Sequence, residues 1–395
     1  MKTVSRILAA LLVLMLIFAA GCANQNAPAP SSVPGTEPSG TSEPSATPGE
    51  TSDPSADPAL SDDPAWIEAS ALGLSPDDVA SNINGKPVTV REFLYWANST
   101  WNNWGLDTGS WDMNIGGTTA GELLADNVIY SIKLYRTVEN KCAELGISLS
   151  EQDEAELASA RDNLIAQYGS EEAYRQALAQ SFLSEDLYDY MLRTSYLYSA
   201  LYDEVCGVNG SKCSDDEALS YGNANGFLRA KHILLSRTDD EGNELSAEEY
   251  QKRYEKLEEL IAILDKSDDP VAKFDELMHE YSEDPGVANY PDGYQWIEGA
   301  MVPSFEEAAK SLDDYGYSGV VEMAEYGYTV VMRLPLDPEA VAINDELGYT
   351  LRMNASMSHF DDILSEWSEE LSVEFLPAYD SLDYKTAFES VAADK

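Results

Sequence analysis

The run "FLRAKHILL" (227–235) places His232, one of only three histidines in 395 residues, inside an apolar, strand-like stretch. Strand alternation puts its side chain on the same face as Ala230 and Leu234, and so inward. From the residues alone, two readings stand: a core histidine bonded to backbone, or a member of a buried group that does chemistry. Metal chemistry has no support in the pattern, because Cys142, Cys206 and Cys213 show no CxxC or Cys/His ligand spacing. The acidic turn "RTDDEGNE" (237–244) is not a calcium loop: counting back from Gly242 puts Arg237 where the first acidic ligand belongs.

The chain around His232 carries a formal net charge of −47, which excludes a phosphate backbone, and hence nucleic acid, as a partner. With 44% hydrophobic residues it can still bury a sizeable core. Lys2 and Arg6 precede an apolar run, Ile7 to Ala20, that is too short to span a bilayer comfortably and fits the core of a secretory signal. "AAGC" (19–22) closes it and resembles a bacterial lipobox, in which Cys22 receives diacylglycerol after cleavage. The expected location is therefore extracytoplasmic, at the cell membrane, held by lipid. Three cysteines then remain. Cys206 and Cys213 could bridge a loop containing Gly207 and Gly210, or stand as buried free thiols.

Five parts follow from composition and period: a signal peptide (1–22), a Pro/Ser/Thr-rich tether (23–64), a helical domain (65–225), a domain of mixed character (226–337) and a C-terminal helix with tail (338–395). Helices are expected at 121–145, 150–167, 170–179, 184–206 and 214–225, with Ser150 and Asp153 as a capping box. This stretch has no glycine-rich phosphate loop and no His/Asp/Ser constellation. Trp96, Trp101, Trp104 and Trp111 are either core anchors or an exposed aromatic surface that grips unfolded chains. After residue 226 the grammar is strand, two helices (the first capped by Ser246 and Glu249), a long loop over 282–303, a helix capped by Ser304 and Glu307, and two closing strands. That order makes an α+β domain. The helix after Pro338 has an apolar face, and the helical domain is its natural partner. The mixed domain would then be an insertion in a mostly helical module.

"RAKHILL", "FDELMHEYSEDPG", "NYPDGYQWIEGAMVPSFEEAAKSL", "YGYSGVV" and "YGYTVVMRL" together resemble the successive blocks of parvulin-type peptidylprolyl isomerases. The flanks, with "INGKPVTVREF" before and the long helix after, are similar to PrsA-type foldase lipoproteins and the SurA chaperone. The resemblance implies a small antiparallel sheet with surrounding helices, set in a helical chaperone module. It implies that His232 sits under the active site, and that Met301 and Phe305 line the proline pocket. Two positions depart from the family. Its second histidine falls on Thr329, and its acid falls on Gly293 in the simplest register, with Asp292 beside it as the candidate replacement.

The uncatalysed barrier is ~18–20 kcal/mol, and a thousandfold acceleration removes only roughly 4 kcal/mol. One neutral hydrogen bond is worth about 1 kcal/mol, so Thr329 in place of histidine is expected to weaken the reaction rather than abolish it. The implied function is a lipid-anchored foldase that isomerises X-Pro bonds in newly exported, unfolded proteins without cofactor or metal. Its rivals are a parvulin-fold holdase with lost catalysis and, in another class, a solute-binding lipoprotein. The last lacks the alternating strand–helix units of two α/β lobes.

Overall fold

Capping chemistry sets the helix starts in this computed structural model, which describes residues 63–239 and 241–393. Thr119 with Glu122, Ser150 with Asp153, Ser214 with Glu217 and Ser246 with Glu249 each form reciprocal capping boxes. They open the helices Ala120–Leu145, Glu151–Tyr168, Asp215–Ala224 and Ala247–Leu264. Glycines in the left-handed conformation, Gly146 and Gly169, end the first two. The expected signal peptide, Cys22 and most of the tether lie outside the described residues. Among the described residues no helix is long and apolar enough to cross a membrane.

The strands are β1 (Val79–Ile83), β2 (Lys86–Thr89), β3 (Asn114–Ile115), β4 (Thr118–Thr119), β5 (Phe227–Ser236), β6 (Tyr294–Ile297), β7 (Val321–Met323), β8 (Gly327–Arg333) and β9 (Val373–Phe375). They pair antiparallel as β2-β1-β9, β3-β4 and β6-β5-β8-β7. The architecture is therefore α+β, mostly helical with small antiparallel sheets.

The chain forms two compact units, one running to Leu201 and resuming at Asp361, the other spanning Tyr202–Phe360. In the first, β9 returns to pair with β1, Ser81 opposite Phe375. Its core includes Phe93, Leu94, Leu124 and Ile132, all fully buried. Trp96 and Trp101 are buried in it, with Trp104 and Trp111 packed against it. Trp101 lies 5.0 Å from Trp111 and 5.9 Å from Phe388 by ring centroids. These tryptophans are core anchors.

In the second unit the four-stranded sheet is packed on both faces. Ile233, Leu235, Val330 and Met332 point to the helices Ala247–Leu264 and Pro270–Tyr281 and meet Leu257, Leu260, Phe274 and Leu277. Ala230, Leu234 and Val331 point the other way, to Trp296, Phe305 and Ala309 of β6 and the helix Pro303–Lys310. Alternation along β5 and β8 produces both faces.

Two local expectations need correction. The stretch 282–303 is not one loop, since it contains a 3-10 turn, Pro285–Ala288, and strand β6. Ser304 and Glu307 do not cap the helix that follows: it begins at Pro303, and its N-cap, Val302, has no side-chain cap. Ser304 Oγ donates instead to the Glu322 carbonyl, at 3.0 Å. Among the described residues, Cys142, Cys206 and Cys213 are not joined in disulfides.

Candidate functional site

β5 holds His232 inward, where it is only 7% exposed. β6 pairs with β5 only from Phe227 to Ala230. Beyond that the same edge of β5 is taken by the turn that follows the helix Pro270–Tyr281. Leu234 N donates to Ser282 Oγ at 3.1 Å, and Glu283 N donates to the Leu234 carbonyl at 2.8 Å. That attachment delivers Asp284 to His232, with Asp284 Oδ2 3.5 Å from His232 Nε2. The other carboxylate oxygen caps the 3-10 turn, accepting from Gly286 N at 2.9 Å.

Asp284 has a second partner. Tyr294, the first residue of β6, donates its hydroxyl to Asp284 Oδ2 at 2.7 Å, and its ring stacks on the imidazole at 5.8 Å. Burial, and then the bond to Asp284, push the Tyr294 phenol far above its ordinary range, so it is a permanent donor. Burial also lowers the His232 pKa, and the Asp284 charge offsets this only in part. The imidazole is therefore neutral at pH 7, and the contact with Asp284 is not an ion pair there.

The third wall is apolar. Phe305, 2% exposed, meets the imidazole edge-on at 5.1 Å and lies 5.4 Å from the fully buried Trp296. Met301, partly buried, packs against the same cluster. The site thus sets one carboxylate, one phenol and one neutral imidazole beside an apolar surface.

His232, Met301 and Phe305 therefore share one site. Thr329 occupies the same face of the sheet, opposite Leu234, but is fully buried and donates its hydroxyl to the Ile233 carbonyl at 3.1 Å. Asp292 is exposed in the turn before β6, where its carbonyl accepts from Arg229 at 3.2 Å. Gly293 has φ +91°, and a Cβ there would lie 2.7 Å from the Ala230 carbonyl oxygen. The close approach of this turn to β5 therefore requires glycine. Sequence reasoning missed Asp284 and Tyr294. The available signal for Asp284 was an Asp-Pro step inside the block "HEYSEDPG", a turn start that fixes a carboxylate at its first position.

Residues 218–333 match the family of the PPIC-type PPIase domain, and this part of the chain is a domain of that parvulin-type family. No curated protein sequence matches the chain. Among solved structures it is similar to the peptidylprolyl isomerase PrsA of Bacillus cereus, at 15% identity over 75% of this chain and 92% of that one, with a TM-score of 0.27. PrsA of Bacillus subtilis aligns at 18% identity over 66% and 89%, with a TM-score of 0.23. A structure described among the SurA-like chaperones PEB4 and Cj1289 of Campylobacter jejuni aligns at 15% over 74% and 96%, with a TM-score of 0.20.

Proposed function

We propose that the protein is an extracytoplasmic foldase, anchored by lipid at Cys22, that isomerises X-Pro bonds in exported, unfolded proteins. The observation that supports it is the polar group His232, Asp284 and Tyr294 set against the apolar wall of Phe305 and Met301. A planar imide is held by resonance that places negative charge on its carbonyl oxygen and double-bond character on C–N. An apolar surround disfavours that charge separation, and a neighbouring carboxylate disfavours it further. The twisted imide, which has lost the resonance, is favoured in relative terms. Tyr294 and the Gly286 N–H hold Asp284 in place beside His232, and no covalent bond is made or broken.

The test is cis-to-trans isomerisation of a short X-Pro peptide by the full chain and by Phe305→Ala. Acceleration that the substitution removes supports the enzyme reading. A folded chain with no acceleration that still suppresses aggregation of unfolded proteins would be a holdase. The anchor is tested separately, by detergent partition of the expressed protein and of Cys22→Ser.

A further inference from the structure

Glu306 is the most heavily bonded buried carboxylate near the site, and the mechanism above does not use it. It is 6% exposed. Its Oε1 accepts from Trp296 Nε1 at 3.0 Å, from Gly299 N at 2.9 Å and from Met301 N at 3.0 Å, while Oε2 accepts from Gly299 N at 3.1 Å. These donors span β6 and the loop after it, and the acceptor sits in the first turn of the helix Pro303–Lys310. That turn has no side-chain N-cap, and a negative charge there is favoured by the helix dipole. One carboxylate therefore ties together the strand, loop and helix from which Trp296, Met301 and Phe305 project.

We infer that Glu306 is a positioning residue of the prolyl pocket, fixing Met301 and Trp296 relative to Phe305 by charge-assisted hydrogen bonds. The inference rests on the reading that Phe305 and Met301 receive proline. Phe305 is the immediate neighbour of Glu306 in the helix, and the Met301 backbone is bonded to the carboxylate directly. Without the carboxylate, the backbone N–H groups of Gly299 and the partly buried Met301, and the buried Trp296 indole N–H, lose their acceptor, and the loop loses its reason to hold this shape. The role is specific to binding. Glu306 touches Trp296, Gly299 and Met301, whereas Asp284 and His232 form a separate group.

The experiment uses the full chain with Glu306→Gln, Glu306→Asp and Phe305→Ala, an Ala-Pro peptide as substrate, and urea unfolding alongside. Glutamine keeps one acceptor oxygen but turns an amide N–H₂ toward the donors. For the folded Gln variant KM is expected to rise about tenfold, the scale of one lost hydrogen bond to a charged group, with kcat within about twofold. Glu306→Asp is expected to restore part of the affinity, and the Trp296 indole N–H resonance is expected to move upfield in the Gln variant. An unchanged KM in folded Glu306→Gln, while Phe305→Ala raises it, would overturn the inference. So would a loss of activity in proportion to the unfolded fraction with no change in KM. If Phe305→Ala leaves KM untouched, the pocket reading itself fails, whatever Glu306 does.

Discussion

His232 and Asp284 face each other across 3.5 Å, between Nε2 and Oδ2, and the imidazole is nonetheless held neutral by burial. The sign of the pH effect follows. A histidine whose folded pKa lies below its ordinary 6.5 contributes full stability above that value, and the contribution is lost as pH falls below it towards the folded pKa. The urea midpoint is expected to decline between pH 6.5 and 5 more steeply in the wild type than in His232→Phe. Parallel declines in the two proteins would show that other groups set the acid limit.

Asp284 serves both His232 and Tyr294, so removing its charge should cost more than removing either partner. Asp284→Asn preserves shape but weakens a charge-assisted bond, and kcat/KM is expected to fall about tenfold or more. Tyr294→Phe should lose less, because the carboxylate stays next to His232. Peptide isomerisation at pH 7.5 measures both. Equal activity of Asp284→Asn and wild type would remove the carboxylate from the reaction.

Much of this was legible in the sequence because it is local. The helices expected at 150–167 and 214–225 are found at Glu151–Tyr168 and Asp215–Ala224, since Ser150 and Ser214 announce their own starts. Alternation around His232 gave its inward direction for the same reason. β6 was hidden because it is four residues long and buries both Gln295 and Trp296, so it shows no alternation. Gln295 is buried by bonding the Asp337 and Ala340 carbonyls, at 3.2 and 3.1 Å, a long-range solution that no local pattern reports. Asp284 was hidden likewise: its place beside His232 depends on Ser282 and Glu283 joining the edge of β5. Glu306 shows no local signal, because its partners lie on β6 and in the loop after it, whose path the sequence does not state.

Gly293 occupies the position where the simplest alignment with the family expects an acid. Gly293→Asp would install one. It would also force a Cβ to within 2.7 Å of the Ala230 carbonyl oxygen at φ +91°, a conformation costly for a side chain. The variant is expected to lose about 1–3 kcal/mol of stability and to gain no activity. Thermal melts with isomerase assays would show it, and a faster enzyme of unchanged stability would reverse the conclusion.

In the helical unit, Glu68 is 1% exposed, and burial raises its pKa to about 8 against a bond from Asn98 Nδ2 at 3.0 Å. The group contributes most to stability below its ordinary 4.5, and the contribution is lost as pH rises through about 8. Glu68→Gln keeps a carbonyl for Asn98 and removes the titration. Its unfolding midpoint should match the wild type near pH 4 and exceed it at pH 8.5. A wild type that stays the more stable at pH 8.5 would show that Glu68 is ionised and accommodated.

Thr329 decides whether the residue in place of the family's second histidine takes part in the reaction. Across the strand pair, His232 faces Val331, while Thr329 faces Leu234 and gives its hydroxyl to the Ile233 carbonyl. A hydroxyl already donated to β5 backbone has no proton to offer the His232 group. Thr329→Val keeps the volume and removes the bond, so stability should fall by about 1 kcal/mol while kcat/KM stays within twofold. Thr329→His would press a larger ring into a fully buried position and is expected to cost about 1–3 kcal/mol. If Thr329→Val instead slowed isomerisation tenfold at full stability, the hydroxyl would have to leave Ile233 and join His232 during turnover.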